Sequence, residues 1–227
     1  MSARIPIIIV TIAITVGAFF LFMNRGKADS VPAPQQANQG LSLNPSLWVI
    51  GPIINGKNYS HGMPLHPFTD GAGWSFDFPQ SGGSVHYIST AIQQSLVGKS
   101  RVRMKFDIIG DATTIFKATE GTAPARVRLF LQRPSDDWQG EFNRWWSVPA
   151  IELGINSFTL TAPLIGSAWS SVYGKQGDAD AAAAASFMTT IGAVENIGLT
   201  FGGTYAGHGV NISGGNAKFV CTGYAAE

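Results

Sequence analysis

Beyond residue 40 the chain is dominated by a period-two alternation of apolar and polar positions. Arg101, Val102, Arg103, Met104, Lys105, Phe106, Asp107 and Ile108 alternate without a fault, the pattern of a strand with one face on a core and one in water. Arg126, Val127, Arg128, Leu129, Phe130, Leu131 and Gln132 repeat it, except that Phe130 falls on the outward side. Weaker runs over 47–50, 74–78, 85–90, 145–151, 157–161, 197–201, 210–212 and 217–224 predict further strands, separated by clusters of glycine, proline and asparagine. Short strands at that spacing predict an all-β jelly roll or β-sandwich over residues 41–227. One run breaks the alternation. Asp180 precedes five alanines, and Phe187 and Ile191 follow four apart. This predicts a single short helix capped by aspartate, with one apolar face on the sheet and Gly192 closing it in the left-handed conformation.

The N-terminus follows a different rule. Residues 5–23 contain no charge, and at helical rise such a segment spans about 28 Å, the hydrocarbon thickness of a bilayer. A cleaved signal peptide is the competing reading, but its apolar region is usually ~7–15 residues. Here the stretch is longer, and Phe19, Phe20, Phe22 and Met23 stand where small residues should precede cleavage. We therefore expect residues 1–25 to act as a single-pass membrane anchor. Residues 26–40, rich in Pro, Ala, Gln and Asn, are expected to be a linker that stands the domain off the membrane. Arg4 before the span and Arg25 and Lys27 after it nearly balance, so the positive-inside comparison is close to a tie. A signal-anchor with its N-terminus inside is the simplest route for a β-domain that follows. The expected location is a bacterial inner membrane, with the domain in the periplasm or outside the cell.

Charge and cysteine content narrow the partners. Only 13% of residues are charged and the formal net charge is +1, so no global field draws the chain to nucleic acid. The lone cysteine, Cys221, forbids an intrachain disulfide, which suits a bacterial envelope protein better than a disulfide-rich secreted one.

Catalytic motifs fail one after another. Gly98-Lys99-Ser100 has the tail of a phosphate-binding loop, but Gln93 stands where the motif requires glycine, and a strand follows instead of a helix. His61, His66, His86 and His208 occur without metal-ligand spacing and are read as ordinary loop histidines. No G-x-S-x-G elbow is present. Asp136, Asp137 and Glu141 form the only dense carboxylate group of the domain. They are read first as a solvated loop, with a glycosidase pair or a structural calcium site on Asp136 and Asp137 as alternatives.

The aromatic residues beside that loop carry the best binding signal. Trp138, Trp145 and Trp146 cluster near Arg133 and Arg144. On one strand, Trp145 and Trp146 point to opposite faces. Trp145 shares its side with Asn143 and Ser147, which predicts that Trp145 is exposed and Trp146 fills the core. An exposed indole beside hydrogen-bonding side chains is a stacking platform for a sugar ring; burial of all three indoles is the alternative. The outward residues Arg101, Arg103, Lys105, Arg126, Arg128 and Gln132 would make a basic strip for an anionic polymer if their two strands were neighbours.

The run Leu96 to Met104 and the ending Ile197-Gly198-Leu199-Thr200-Phe201-Gly202-Gly203 with Gly214-Gly215-Asn216-Ala217-Lys218-Phe219 resemble jelly-roll carbohydrate-binding modules with a galactose-binding-like fold. The resemblance covers residues 41–227 as a pattern. It implies a non-catalytic sandwich that binds glycans through loops or a sheet face. The expectation is a membrane-tethered glycan- or cell-envelope-binding module using Trp138, Trp145, Arg133, Arg144, Asp136 and Asp137, without a cofactor. A scaffold subunit of an envelope assembly and a sandwich-fold glycoside hydrolase or polysaccharide lyase are the alternatives.

Overall fold

The structure, a computed structural model, describes residues 40–227. The membrane segment expected over 5–23, and all but the last residue of the linker expected over 26–40, lie outside the described residues. Among the described residues no helix is long and apolar enough to cross a membrane.

The strands in chain order are β1 (Trp48–Gly51), β2 (Ile53–Ile54), β3 (Lys57–Asn58), β4 (Phe68–Asp70) and β5 (Gly73–Asp77). They continue with β6 (Tyr87–Gln94), β7 (Arg101–Gly110), β8 (Ile115–Ala118), β9 (Arg126–Gln132) and β10 (Arg144–Glu152). The last five are β11 (Asn156–Pro163), β12 (Trp169–Ser170), β13 (Val194–Gly202), β14 (Val210–Ser213) and β15 (Ala217–Ala226), with helix α1 (Ala181–Gly192) between β12 and β13. A six-stranded sheet has the order β1-β6-β13-β9-β10-β12, and a five-stranded sheet the order β11-β7-β15-β5-β4. Two small two-stranded pieces, β14-β8 and β2-β3, complete it. The chain passes repeatedly from one sheet to the other, so sequence neighbours such as β6 and β7 lie in different layers. This is a mostly-β sandwich, compatible with a jelly roll.

The alternation read from β7 is obeyed. Val102, Met104, Phe106 and Ile108 are buried, while the arginines and Lys105 between them face outward. Between the sheets sits an aromatic core centred on Phe219, whose ring lies 4.7 Å from Phe106, 5.2 Å from Phe76 and 5.6 Å from Phe201. Stacked and edge-on pairs of this kind add to the area they bury.

Helix α1 forms as expected at its start: the Asp180 carboxylate accepts a hydrogen bond from Ala183 N at 2.8 Å, and Phe187 and Ile191 are buried. Its end differs. Gly192 does not take a positive φ; Ala193 leaves the helical region at φ −151° and ψ 85°, and its N–H bonds to Thr190 O. Phe187 packs against Trp145 at 5.3 Å and Trp169 at 6.4 Å.

The condition for a basic strip across two strands is not met. β7 and β9 lie in different sheets, so Arg101, Arg103 and Lys105 form no common strip with Arg126, Arg128 and Gln132. Arg101 and Arg103 are moreover paired with Glu227. Arg128 and Gln132 are buried.

Candidate functional site

The six-stranded sheet has one face on the core and one turned away from it. Strand parity puts Val49 and Gly51 of β1, Tyr87, Ser89 and Ala91 of β6, Asn196, Gly198 and Thr200 of β13, Arg128, Phe130 and Gln132 of β9, and Arg144 and Trp146 of β10 on the second face. Register brings Arg144, Gln132, Asn196 and Ala91 side by side across the sheet. The next row is Trp146, Phe130, Gly198, Ser89 and Val49. At Gly198 a Cβ would come within 2.1 Å of the Ile88 carbonyl oxygen; only glycine permits that approach, and its missing side chain keeps the middle of this row low.

The loop between β9 and β10 folds back over this face. Phe130, Tyr87 and Trp146 are buried as a second apolar cluster, with Trp138 and Tyr205 packed against them. Trp138 stands edge-on to Tyr87 at 5.8 Å, and the Arg144 guanidinium lies 4.8 Å from the centre of its ring. Trp138 takes φ 67°, and Ser135 φ 61°, a left-handed conformation that costs about 1–2 kcal/mol for a residue with a side chain. Asp136 compensates locally. Its Oδ1 accepts the Trp138 N–H at 2.9 Å, and its Oδ2 accepts from Gln132 Nε2 at 2.8 Å. The same Oδ2 lies 2.9 Å from Arg144 Nε. The Arg144 N–H does not point along that line, so this contact is an ion pair rather than an aligned hydrogen bond. The carboxylate is 1% exposed and the guanidinium 8%. Asn196 Nδ2 extends the chain by donating to Gln132 Oε1 at 2.9 Å.

Next to this network lies a cleft of about 380 Å³. Leu47, Val49, Pro52 and Ile53 line one side, and Tyr87, Phe130 and Trp138 the aromatic side. Ser89, Gln132, Asn196, Asp136 and Glu195 supply its polar groups. Burial pushes the Tyr87 hydroxyl far above its ordinary range, so it remains a neutral donor, here to Ala206 O.

Of the residues expected from sequence, Trp138 and Asp136 line this cleft, and Arg144 packs against both without lining it. Trp145 does neither. It is 0% exposed, lies on the core face, stacks on Phe142 at 5.7 Å and donates its Nε1–H to Thr190 Oγ1 at 3.2 Å. Its polar neighbour Ser147, which argued for exposure, is itself buried: its hydroxyl donates to Pro149 O and accepts from Leu129 N. Trp146, expected in the core, is the indole on the outer face, covered by the second apolar cluster. Arg133 and Asp137 are on the loop but do not line the cleft. Asp137 is exposed and accepts from Gln139 N.

The carboxylates that the glycosidase alternative would pair go separate ways. Asp136 is held by Arg144, Asp137 faces solvent, and Glu141 accepts from Ser171 Oγ at 3.3 Å. That arrangement also leaves Asp136 and Asp137 a poor donor pair for calcium, since Asp136 is already neutralised by a guanidinium. Among the described residues no group of three or more His, Cys, Asp or Glu side chains is placed to hold a metal ion.

The residues that sequence reading passed over are Tyr87, Ser89, Asn196 and Glu195. The first two alternate with Ile88 and Thr90, so a parity signal existed. Only the sheet order tells that β6 and β13 bring them beside Gln132. No protein-family model and no curated protein matches the chain.

Proposed function

We propose that the domain is a non-catalytic glycan- or envelope-binding module, held at a membrane by residues 5–23, and that it uses the cleft on the outer face of the six-stranded sheet. The observation that carries this reading is the lining of the cleft. A sugar ring has apolar C–H faces and a rim of hydroxyls; the cleft has the half-buried Trp138 and aliphatic residues in its walls, with carboxamides, a serine hydroxyl and the Glu195 carboxylate between them. Its volume of about 380 Å³ falls within the ordinary ligand range of roughly 300–1,000 Å³. The wall is also pre-ordered. Trp138 is fixed by its backbone hydrogen bond to Asp136 and by Arg144 against its ring, so little entropy remains to be lost on binding. The membrane tether rests on the sequence of residues 5–23 alone.

The test is titration of the full chain against a panel of envelope and plant polysaccharides, beside Trp138→Ala. Loss of a central aromatic contact should weaken binding at least about tenfold. Undiminished binding by a folded variant, or silence of the wild type across the panel, would remove the proposal.

A further inference from the structure

Resting on the glycan reading, the charge lining this cleft points to the class of sugar. Among the described residues no lysine, arginine or histidine lines it, whereas two acidic residues, Asp136 and Glu195, do. Their situations differ. Asp136 is spent internally on Arg144, Gln132 and the Trp138 N–H. Glu195 is the second residue of β13, is half-buried, and forms no ion pair among the described residues. A second hollow of about 320 Å³ also has Glu195 in its lining, with Gln93, Gln94, Ser95, Pro134, Ala193 and Val194. Glu195 borders both hollows, and among the described residues neither has a basic residue in its wall.

We infer that the site takes an oligosaccharide bearing free amino groups, with Glu195 between two sugar-binding hollows receiving a protonated amine. A ligand lying across both hollows would bring a middle residue to this carboxylate. A glycan amine is cationic at neutral pH, so it would gain an ion pair that a hydroxyl or an N-acetyl group lacks. A uronate would instead set a second negative charge beside Glu195 with no cation in the lining to balance it. The anionic polymer expected from the arginine-rich strands has no counterpart here, because those arginines lie outside both hollows.

The experiment compares binding of the full chain to glucosamine hexamers, N-acetylglucosamine hexamers and oligogalacturonate, in low and high salt, with wild type, Glu195→Gln and Trp138→Ala. The wild type should prefer the free amine over the N-acetyl form about fivefold at low salt, the scale of a partly exposed ion pair. Oligogalacturonate should bind weakest. High salt should compress the preference. Glu195→Gln should erase it, whereas Trp138→Ala should weaken binding of both hexamers and leave the preference in place. Equal affinity for the two hexamers, or a preference untouched by Glu195→Gln, overturns the inference and leaves the glycan reading standing. If no glycan of the wider panel binds, both fall together.

Discussion

Replacing Asp136 should unsettle both the stability of the domain and the geometry of its cleft. The carboxylate is 1% exposed and faces an Arg144 guanidinium that is 8% exposed, so removing it leaves a buried positive charge without a partner. Breaking such a pair from one side costs about 3–5 kcal/mol, a large part of the roughly 5–15 kcal/mol that holds a domain of this size. The Gln132 amide and the Trp138 N–H lose their acceptor in the same step. Urea unfolding at pH 7, followed by tryptophan fluorescence, measures the loss for Asp136→Ala, Arg144→Met and the double variant. Because the cost comes mainly from the stranded charge, the double variant should be no less stable than Asp136→Ala alone. The two effects should fall short of additivity by at least about 1.5 kcal/mol. Asp136→Asn, which can keep the bond from the Trp138 N–H without the charge, should lie between wild type and Asp136→Ala. A cost under about 1 kcal/mol that adds simply to that of Arg144→Met would mean that the pair is screened as a surface pair is. The account of how the loop is locked would then be wrong.

Three further outcomes test the fold. Phe219→Ala removes the ring around which Phe76, Phe106 and Phe201 pack and should cost about 3–5 kcal/mol in urea unfolding; a loss below about 1.5 kcal/mol would contradict its central place. His86 is held down from 6.5 to about 4, chiefly by burial and then by the positive charges of His208 and His61. The unfolded chain therefore binds the extra proton first, and the contribution of His86 to stability should fall as pH drops from about 6.5 to about 4. His86→Asn should flatten that slope, and an unchanged slope would assign it to other groups. Cys221 is buried and its thiol is pushed up to about 12 by that burial, so alkylating reagents at pH 8 should label it only at the rate of unfolding; rapid labelling of the folded chain would contradict its position.

What the residues determined by themselves was local. Alternation in Arg101 to Ile108 defines a strand with a buried side whatever lies next to it, and an aspartate before an alanine run starts a helix through its own hydrogen bond. The glycine- and proline-rich breaks, together with such strands, sufficed for a sandwich. The same local reading found the loop of Asp136, Trp138 and Arg144, because these side chains meet within a few residues of one another. What it lacked was the identity of each strand's neighbours. Parity says that Trp145 and Trp146 face opposite ways, but which side is the core depends on where the second sheet and α1 lie. Ser147 misled because a buried hydroxyl bonded to backbone is indistinguishable in sequence from an exposed one. The basic strip turned on the same missing knowledge, since it required β7 and β9 to be neighbours and they lie in different sheets. The cleft itself depends on contacts between strands far apart in the chain, β1, β6, β9 and β13. Only the long-range pairing sets Tyr87 under Trp138 and Asn196 beside Gln132, and those pairings are fixed by the packing of the whole core rather than by any segment's own preference.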